Sequence, residues 1–473
     1  MHRLSSSTGS DSSRILRLIN EPTGARHELP SLKLWAITMK LLYVTPSFPP
    51  MVGGGERLVH ALAEQATEAG HQVTVVTSDV TQSEDFWRWR PRHGRQEPYE
   101  VYEGPVRVIR CPAGGIPGNR TGLLLWRKAM IMTSMAFENS ALLTRMARRV
   151  PTIPGLAQVL AELDNHDLVH GFNLSWEHAL MEGWRHARTR GVPFVLRPDI
   201  HLGTAGEKRI VRNNTMSHQL DVMRDADAVV VNTSIERDSL IEFGVPPERT
   251  YVVGSGYYPQ TQEIDTQTIA RKMQAFGLAD PLILFIGRVG RDKGAIDAAE
   301  ATLALAKRPD VASPPCLALI GAVEGDFEHY YRHLSLEAQM QVRPLGLVSE
   351  KDKHALLSRA RVLVLPSRVD SFGIVLLEAW AHGKPVIGAR AGGIPGVIDE
   401  GENGLLVDWG DSRALADAIA RLLADSDEAA RMGSAGREKM AREYTWSAVY
   451  DRIERVYQGL RGAPLPESEA SLG

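Results

Sequence analysis

V-L-V-L-P-S-R-V-D-S-F-G-I-V-L-L-E-A-W-A-H-G-K-P-V-I, running from Val362 to Ile387, decides the fold of the second half of the chain. Val362 to Leu365 reads as a buried strand, the polar run after it as a loop, Ile374 to His382 as a helix and Pro385 to Ile387 as the next strand. Asp370 and Glu378 lie eight positions apart. Ser371 is a candidate N-cap, so the helix is expected to begin near Phe372, with its unpaired N–H groups facing a cleft and Phe372 and Gly373 as candidate donor contacts. Ile374, Val375, Leu376, Leu377, Ala379, Trp380 and Ala381 make the helix apolar on every side, which predicts burial. An ionised Glu378 in that setting needs partners, since an isolated buried carboxylate is costly; ribose hydroxyls would serve, and a structural ion pair with a nearby arginine is the alternative.

The same alternation extends outward. Before this stretch come Leu282 to Ile286, Ala295 to Ala306 and Leu317 to Ile320. An earlier series holds strands at Leu41 to Thr45, Val73 to Thr77, Val106 to Ile109, Leu168 to His170, Phe194 to Leu196 and Ala228 to Asn232, with helices over Glu56 to Ala69 and Leu123 to Arg149. Such βαβ alternation predicts an α/β protein with two doubly wound, Rossmann-like sheets. Their boundary is placed in the polar link Tyr257 to Thr266, giving one domain over 39–258 and a second over 267–442. Trp446, Val449, Ile453 and Val456 share one face of a helix over 443–460, which is expected to pack back on the first domain. Residues 1–38, Ser-rich and aperiodic, read as a disordered extension or a misassigned start with Met39 the true one, and 461–473 as a flexible tail.

Two loops carry candidate ligand contacts. Gly53, Gly54 and Gly55 follow the first strand and lead straight into a helix, where backbone N–H groups can meet an anion such as a diphosphate, or merely close a turn. The matching loop of the second domain, F-I-G-R-V-G-R-D-K-G, sets Arg288 and Lys293 five apart between Gly287 and Gly294. A departing pyrophosphate needs its charge neutralised, and these two cations suit that task.

In order and spacing, G-R-x-x-x-x-K-G and D-S-F-G-I-V-L-L-E resemble the retaining glycosyltransferases of the GT-B fold, glycosyl transferase group 1, from Met39 to about Gly459. The resemblance implies that Arg288 and Lys293 bind the donor diphosphate, that Glu378 holds the ribose, that Gly53 to Gly55 face the phosphates and that the backbone around Gly346 to Val348 meets the nucleobase. It also implies a nucleoside diphosphate sugar as donor, uridine expected ahead of guanosine, and transfer with retention by front-face attack through an oxocarbenium-like state. The chain departs from the pattern at three places. Asp370 stands where Glu is common, Gly396 where Glu usually follows the proline, and Asp199 where a cleft histidine is usual, so that His201 or His170 is the candidate to meet the sugar. The triplets Asp225 to Asp227 and Asp425 to Asp427 read as helix-boundary residues rather than metal ligands, so no metal is expected. A catalytically silent sugar-nucleotide-binding subunit, or another GT-B enzyme such as a sugar-nucleotide epimerase, is the competing reading.

The bulk properties agree with that class. The 473 residues carry 54 basic and 57 acidic side chains, a net charge of −3 that offers no broad field for nucleic acid. Two isolated cysteines and no apolar run near the ~18 residues of a membrane span point to the cytoplasm. One surface stands out. Phe86, Trp87 and Trp89 interleave with Arg88, Arg90, Arg92 and Arg95, and Trp126, Arg127 and Lys128 repeat the theme. Packed tryptophans with solvated arginines are the plain reading, and peripheral contact with the inner face of a membrane is the other. The acceptor is expected to be a glycan, a lipid-linked sugar or a small molecule held by the first domain.

Overall fold

The alternating units assemble into two sheets. The computed structural model describes residues 38–88, 97–137, 139–204, 206–259, 264–309, 311 and 313–462. The first sheet contains β1 (Lys40–Val44), β2 (Gln72–Ser78), β3 (Tyr99–Glu103), β4 (Val106–Cys111), β5 (Leu168–Phe172), β6 (Phe194–Arg197), β7 (Ala228–Val231) and β8 (Thr250–Val252), in the order β3-β4-β2-β1-β5-β6-β7-β8. Only the β3–β4 hairpin is antiparallel. The second sheet contains β9 (Leu282–Ile286), β10 (Cys316–Ile320), β11 (Val342–Gly346), β12 (Val362–Leu365), β13 (Val386–Ala389) and β14 (Gly404–Val407), all parallel, in the order β11-β10-β9-β12-β13-β14. Both belong to one compact unit that begins at Thr38.

Strand residues alternate between faces, and both faces are covered. Leu42 and Val44 of β1 join one apolar cluster while Leu41 and Tyr43 join another, which is why these strands read as continuous apolar runs. In each sheet the order reverses at the first strand: β1 lies between β2 and β5, and β9 between β10 and β12. Loops leaving such neighbours turn apart and open a crevice at the carboxyl ends of the strands. The Gly53–Gly55 loop leaves β1, the Arg288–Lys293 loop leaves β9 and the Asp370 loop leaves β12.

The two sets of loops meet. Gly392 donates its N–H to the Gly203 carbonyl at 2.8 Å. Arg368 pairs with Glu207 at 3.0 Å and Arg57 with Glu350 at 3.2 Å. The helix Trp446–Leu460, capped by the Thr445 hydroxyl, returns to the first sheet, where Trp446, Val449, Ile453, Val456 and Tyr457 share a cluster with Met39, Leu41 and Tyr43.

Several elements differ from the sequence reading. The single helix expected over Leu123 to Arg149 is two, Asn119–Phe137 and Ser140–Ala147, because Asn139 accepts from the Leu142 N–H at 3.0 Å and caps a new start. β3, β8, β11 and β14 were not foreseen. β3, Y-E-V-Y-E, mixes charged, aromatic and aliphatic residues at the sheet edge, and β8 has only three residues, so neither gives a strong apolar signal. Residues 1–37, the tail beyond 462, and Trp89, Arg90, Arg92 and Arg95 lie outside the described residues.

Candidate functional site

Loop geometry at β9 and β12 brings the predicted charges together. The chain leaves β9, makes a short 3-10 turn over Arg291–Lys293 and enters the helix Ala295–Leu305 through Gly294. Only glycine fits there: its φ is +79°, and a Cβ would lie 2.1 Å from the Pro366 carbonyl oxygen of the β12 loop. This close approach sets Lys293 against Asp370, Nζ to Oδ1 at 2.7 Å. Burial raises the Asp370 carboxyl, but the Lys293 ammonium and its hydrogen bond outweigh it and hold the group below its ordinary value. The second oxygen, Oδ2, is buried without a partner.

Arg288 stands apart from Lys293. Its guanidinium is half exposed and pairs with Glu324. Arg288 and Lys293 are thus each held by a carboxylate, and an anion arriving between them would compete with Glu324 for Arg288.

Glu378 lies on the helix Ile374–Ala381. That helix begins two residues later than expected and without a serine cap: Gly373, at φ +85°, is the N-cap, and no side chain bonds the first turn. The left-handed turn places Phe372 in the core, edge-on to Tyr444 at 5.3 Å, so its side chain does not line the cleft. Glu378 has the ion-pair partner its burial demands, but it is Lys353 rather than an arginine, Nζ to Oε1 at 2.8 Å. Lys353 also reaches Glu350 at 2.8 Å, and Glu350 meets Arg57 of the first domain. Burial raises the Glu378 carboxyl despite the opposing Lys353. Its Oε2 has no partner, which leaves one acceptor for a ligand hydroxyl.

From the other side, Gly53 is the extended N-cap of the helix Gly54–Glu68, and the Glu56 carboxylate, hydrogen-bonded by the Ser47 hydroxyl, folds over it. A Cβ on Gly53 would lie 2.2 Å from Glu56 Oε2. The open positions are Gly54, whose Cβ would meet only Ile374 at 3.8 Å, and Gly55, with nothing within 4 Å. The two helix N-termini, at Gly54 and Ile374, thus approach each other across the cleft.

His201 faces the cleft beside Lys293 and Asp370. It is solvent-exposed yet hemmed in, and desolvation followed by the Lys293 charge lowers its pKa. Asp199, with φ +51°, turns back: its Oδ1 accepts from Asn232 Nδ2 at 2.9 Å and Arg197 Nε at 3.2 Å. His170 does not reach the cleft. It is fully buried, with Nδ1 2.6 Å from the Tyr457 hydroxyl, and burial followed by Arg197 holds its pKa well below the ordinary value.

Gly346, at φ +68°, ends β11; Leu347 after it is 83% exposed, while Val348 packs on the core. Gly396 is explained by its neighbour. A Cβ there would lie 2.8 Å from Thr233 Cβ, so a glutamate would drive the domains apart. Arg188 pairs with both Asp225, at 2.7 Å, and Asp227, at 2.8 Å, and Asp425 caps the helix Ser426–Glu443. Among the described residues no group of three His, Cys, Asp or Glu side chains is placed to hold a metal.

Sequence reasoning missed three participants: Lys353, Tyr257 and Glu236. The Tyr257 hydroxyl is buried without a partner, and burial, then Glu378, raises its pKa. Glu236 accepts from the Ile200 and Asn232 N–H groups, and burial, with Asp199 beside it, raises its pKa to about 7. Lys353 carried a faint signal, a lysine three residues after Glu350 on a helix; the other two carried none.

Comparison with known proteins follows the same division. Residues 266–439 match the family described as Glycosyl transferases group 1, and residues 53–256 match the Glycosyl transferase 4-like domain. D-inositol 3-phosphate glycosyltransferase 1 of Catenulispora acidiphila is 30% identical over 333 residues, 65% of this chain and 77% of that protein. The D-inositol 3-phosphate glycosyltransferase of Corynebacterium aurimucosum is 30% identical over 255 residues, 52% of this chain and 60% of the relative. The chain spans only 56–60% of the length of five such relatives. Among solved structures, Anabaena HepE in complex with UDP superposes with a TM-score of 0.63 at 20% identity, over 89% of this chain and 100% of that one. At that identity the likeness is one of fold, GT-B.

Proposed function

Since this chain belongs to the group 1 family of glycosyl transferases, we propose that it moves a hexosyl group from a nucleoside diphosphate sugar to an acceptor hydroxyl with retention of configuration. The observation that carries the reading is the pairing of Lys293 with Asp370 at the switch point of the second sheet, with Glu378 Oε2 unpartnered in the same site. Glu378 accepts from the ribose, and the backbone of Gly346 to Val348 lies beside the base. Arg288, released from Glu324, and Lys293 neutralise the diphosphate as the bond from the sugar C1 to its phosphate oxygen breaks. The acceptor oxygen attacks C1 on the face the diphosphate leaves, and its proton passes to the departing phosphate oxygen. His201 and Asp370 line the pocket for the sugar. UDP is the nucleotide expected ahead of GDP; HepE was solved with UDP. Two cations at the diphosphate take the place a metal would fill, so the reaction proceeds without one. The relatives' name puts an inositol phosphate first among the acceptors to try, ahead of glycans and lipid-linked sugars.

The test is release of UDP from UDP-glucose, and of GDP from GDP-mannose, with and without acceptors and in excess chelator. Turnover in chelator that rises with acceptor and is lost in Lys293→Ala and Glu378→Ala is expected. Donor binding without turnover on any acceptor would identify a silent binding subunit instead, and activity restored only by manganese would overturn the metal-free reading.

A further inference from the structure

The helix Asn119–Phe137 and its successor Ser140–Ala147 carry an unusual surface. Among the described residues fifteen large apolar side chains are exposed, and six of them fall within positions 124–142. Leu124, Leu125, Met132 and Met135 are each more than 60% exposed, as is Phe137 at the helix end. At 100° per residue Leu124, Met135, Lys128, Met132 and Leu125 fall within an arc of about 100°, a single outward stripe with a cation in it.

The opposite face fixes the helix to the domain. Leu123 and Met130 enter the core, Trp126 donates its ring N–H to the Met146 carbonyl at 3.1 Å, and Arg127 binds buried Glu177 and the Ser175 carbonyl. Trp87 also packs inward. The aromatic and basic residues singled out in the sequence at 87, 126 and 127 therefore serve packing, and the exposed apolar residues are different ones.

Charge decides what such a stripe fits. Residues 119–149 contain six arginines and lysines against one glutamate, in a chain whose net charge is −3, and among the described residues only Arg127 and Arg148 of the six are ion-paired, with Glu177 and Glu182. Arg120 and Lys128 are exposed on this helix, Arg145 and Arg149 just beyond it. Apolar side chains flanked by cations, on a helix whose other face is anchored and which is not long and apolar enough to cross a bilayer, have the form of an interfacial element. We infer that the outer face of Asn119–Phe137 docks on the surface of an anionic phospholipid bilayer, with Leu124, Leu125, Met132 and Met135 entering the headgroup boundary and Lys128 and Arg120 meeting lipid phosphates.

The experiment is co-sedimentation of the full chain with sucrose-loaded vesicles of phosphatidylcholine alone, or mixed in equal parts with phosphatidylglycerol, at low and high salt. Wild type is expected to pellet with the mixed vesicles and to be released by salt. The triple variant Leu125→Ser, Met132→Ser, Met135→Ser and the single variant Lys128→Glu should each bind at least ~10-fold more weakly, with unchanged melting temperature because the altered side chains are exposed. Wild type that stays in the supernatant with both vesicles, or variants that bind as it does, would overturn the inference. So would a wild-type dimer in sedimentation velocity that the triple variant converts to monomer, since the face would then belong to a second copy of the chain.

Discussion

At the scale of single residues, Lys353 is the side chain that balances the charge of Glu378. It is buried between Glu350 and Glu378, 2.8 Å from each, and it opposes the burial that raises the Glu378 carboxyl. Lys353→Met removes that opposition, so Glu378 stays protonated to higher pH and loses the ionised oxygen that would accept from ribose. UDP affinity, measured by calorimetry, is expected to fall about ten-fold or more at pH 7, the worth of a hydrogen bond to a charged group, and to recover as pH rises. Affinity as flat with pH as that of wild type would show that Lys353 does not set the charge on Glu378. Glu378 itself was legible in the sequence, because a lone carboxylate in an apolar helix announces a need for a partner. Which partner it has was not, since Lys353 comes from a helix 25 positions earlier that only the fold brings near. Asp199, read as standing where a cleft histidine is usual, is held by Arg197 and Asn232, while His201 lies beside Lys293 and Asp370.

Among the elements, the parallel strands and the loops after β1, β9 and β12 could be read directly, because strands covered on both faces are apolar throughout. Edge strands escaped for want of a long apolar run, and the break at Asn139 because no proline or glycine marks it. The helix Trp446–Leu460 was legible from its period alone. Ile453 is fully buried in it, in the cluster around Leu41 and Tyr43. Ile453→Ala is expected to cost about 2–5 kcal/mol in denaturant unfolding, through lost burial and the cavity left behind. Arg455→Ala, exposed on the same helix, should stay within about 0.5 kcal/mol. Equal effects would mean that this helix is not part of the first domain's core.

For the whole molecule, buried ionisable groups set the response to acid. Burial is the first cause that lowers the pKa of seven histidines, His166, His170, His178, His186, His201, His354 and His382, the fourth and last to about 4. Below their ordinary value near 6.5 the unfolded chain takes up protons that the folded chain refuses, so stability falls with pH. Three carboxyls act the other way: Glu236, raised to about 7, Asp297, raised to about 6, and Glu378, each protonated in the folded chain first. Histidines outnumber them, each uncompensated proton is worth about 1.4 kcal/mol per pH unit, and the melting temperature is expected to drop between pH 7 and pH 5. A rise over that window would reverse the balance. One further consequence concerns synthesis. The eighth strand of the first sheet is finished at Val252, yet the helix that covers Met39, Leu41 and Tyr43 starts at Trp446, about 190 residues later. At about 5–20 residues per second a ribosome needs roughly ten to forty seconds to supply it. For that interval part of this apolar face on the nascent first half is uncovered, so the opening domain of this chain is the last to be completed.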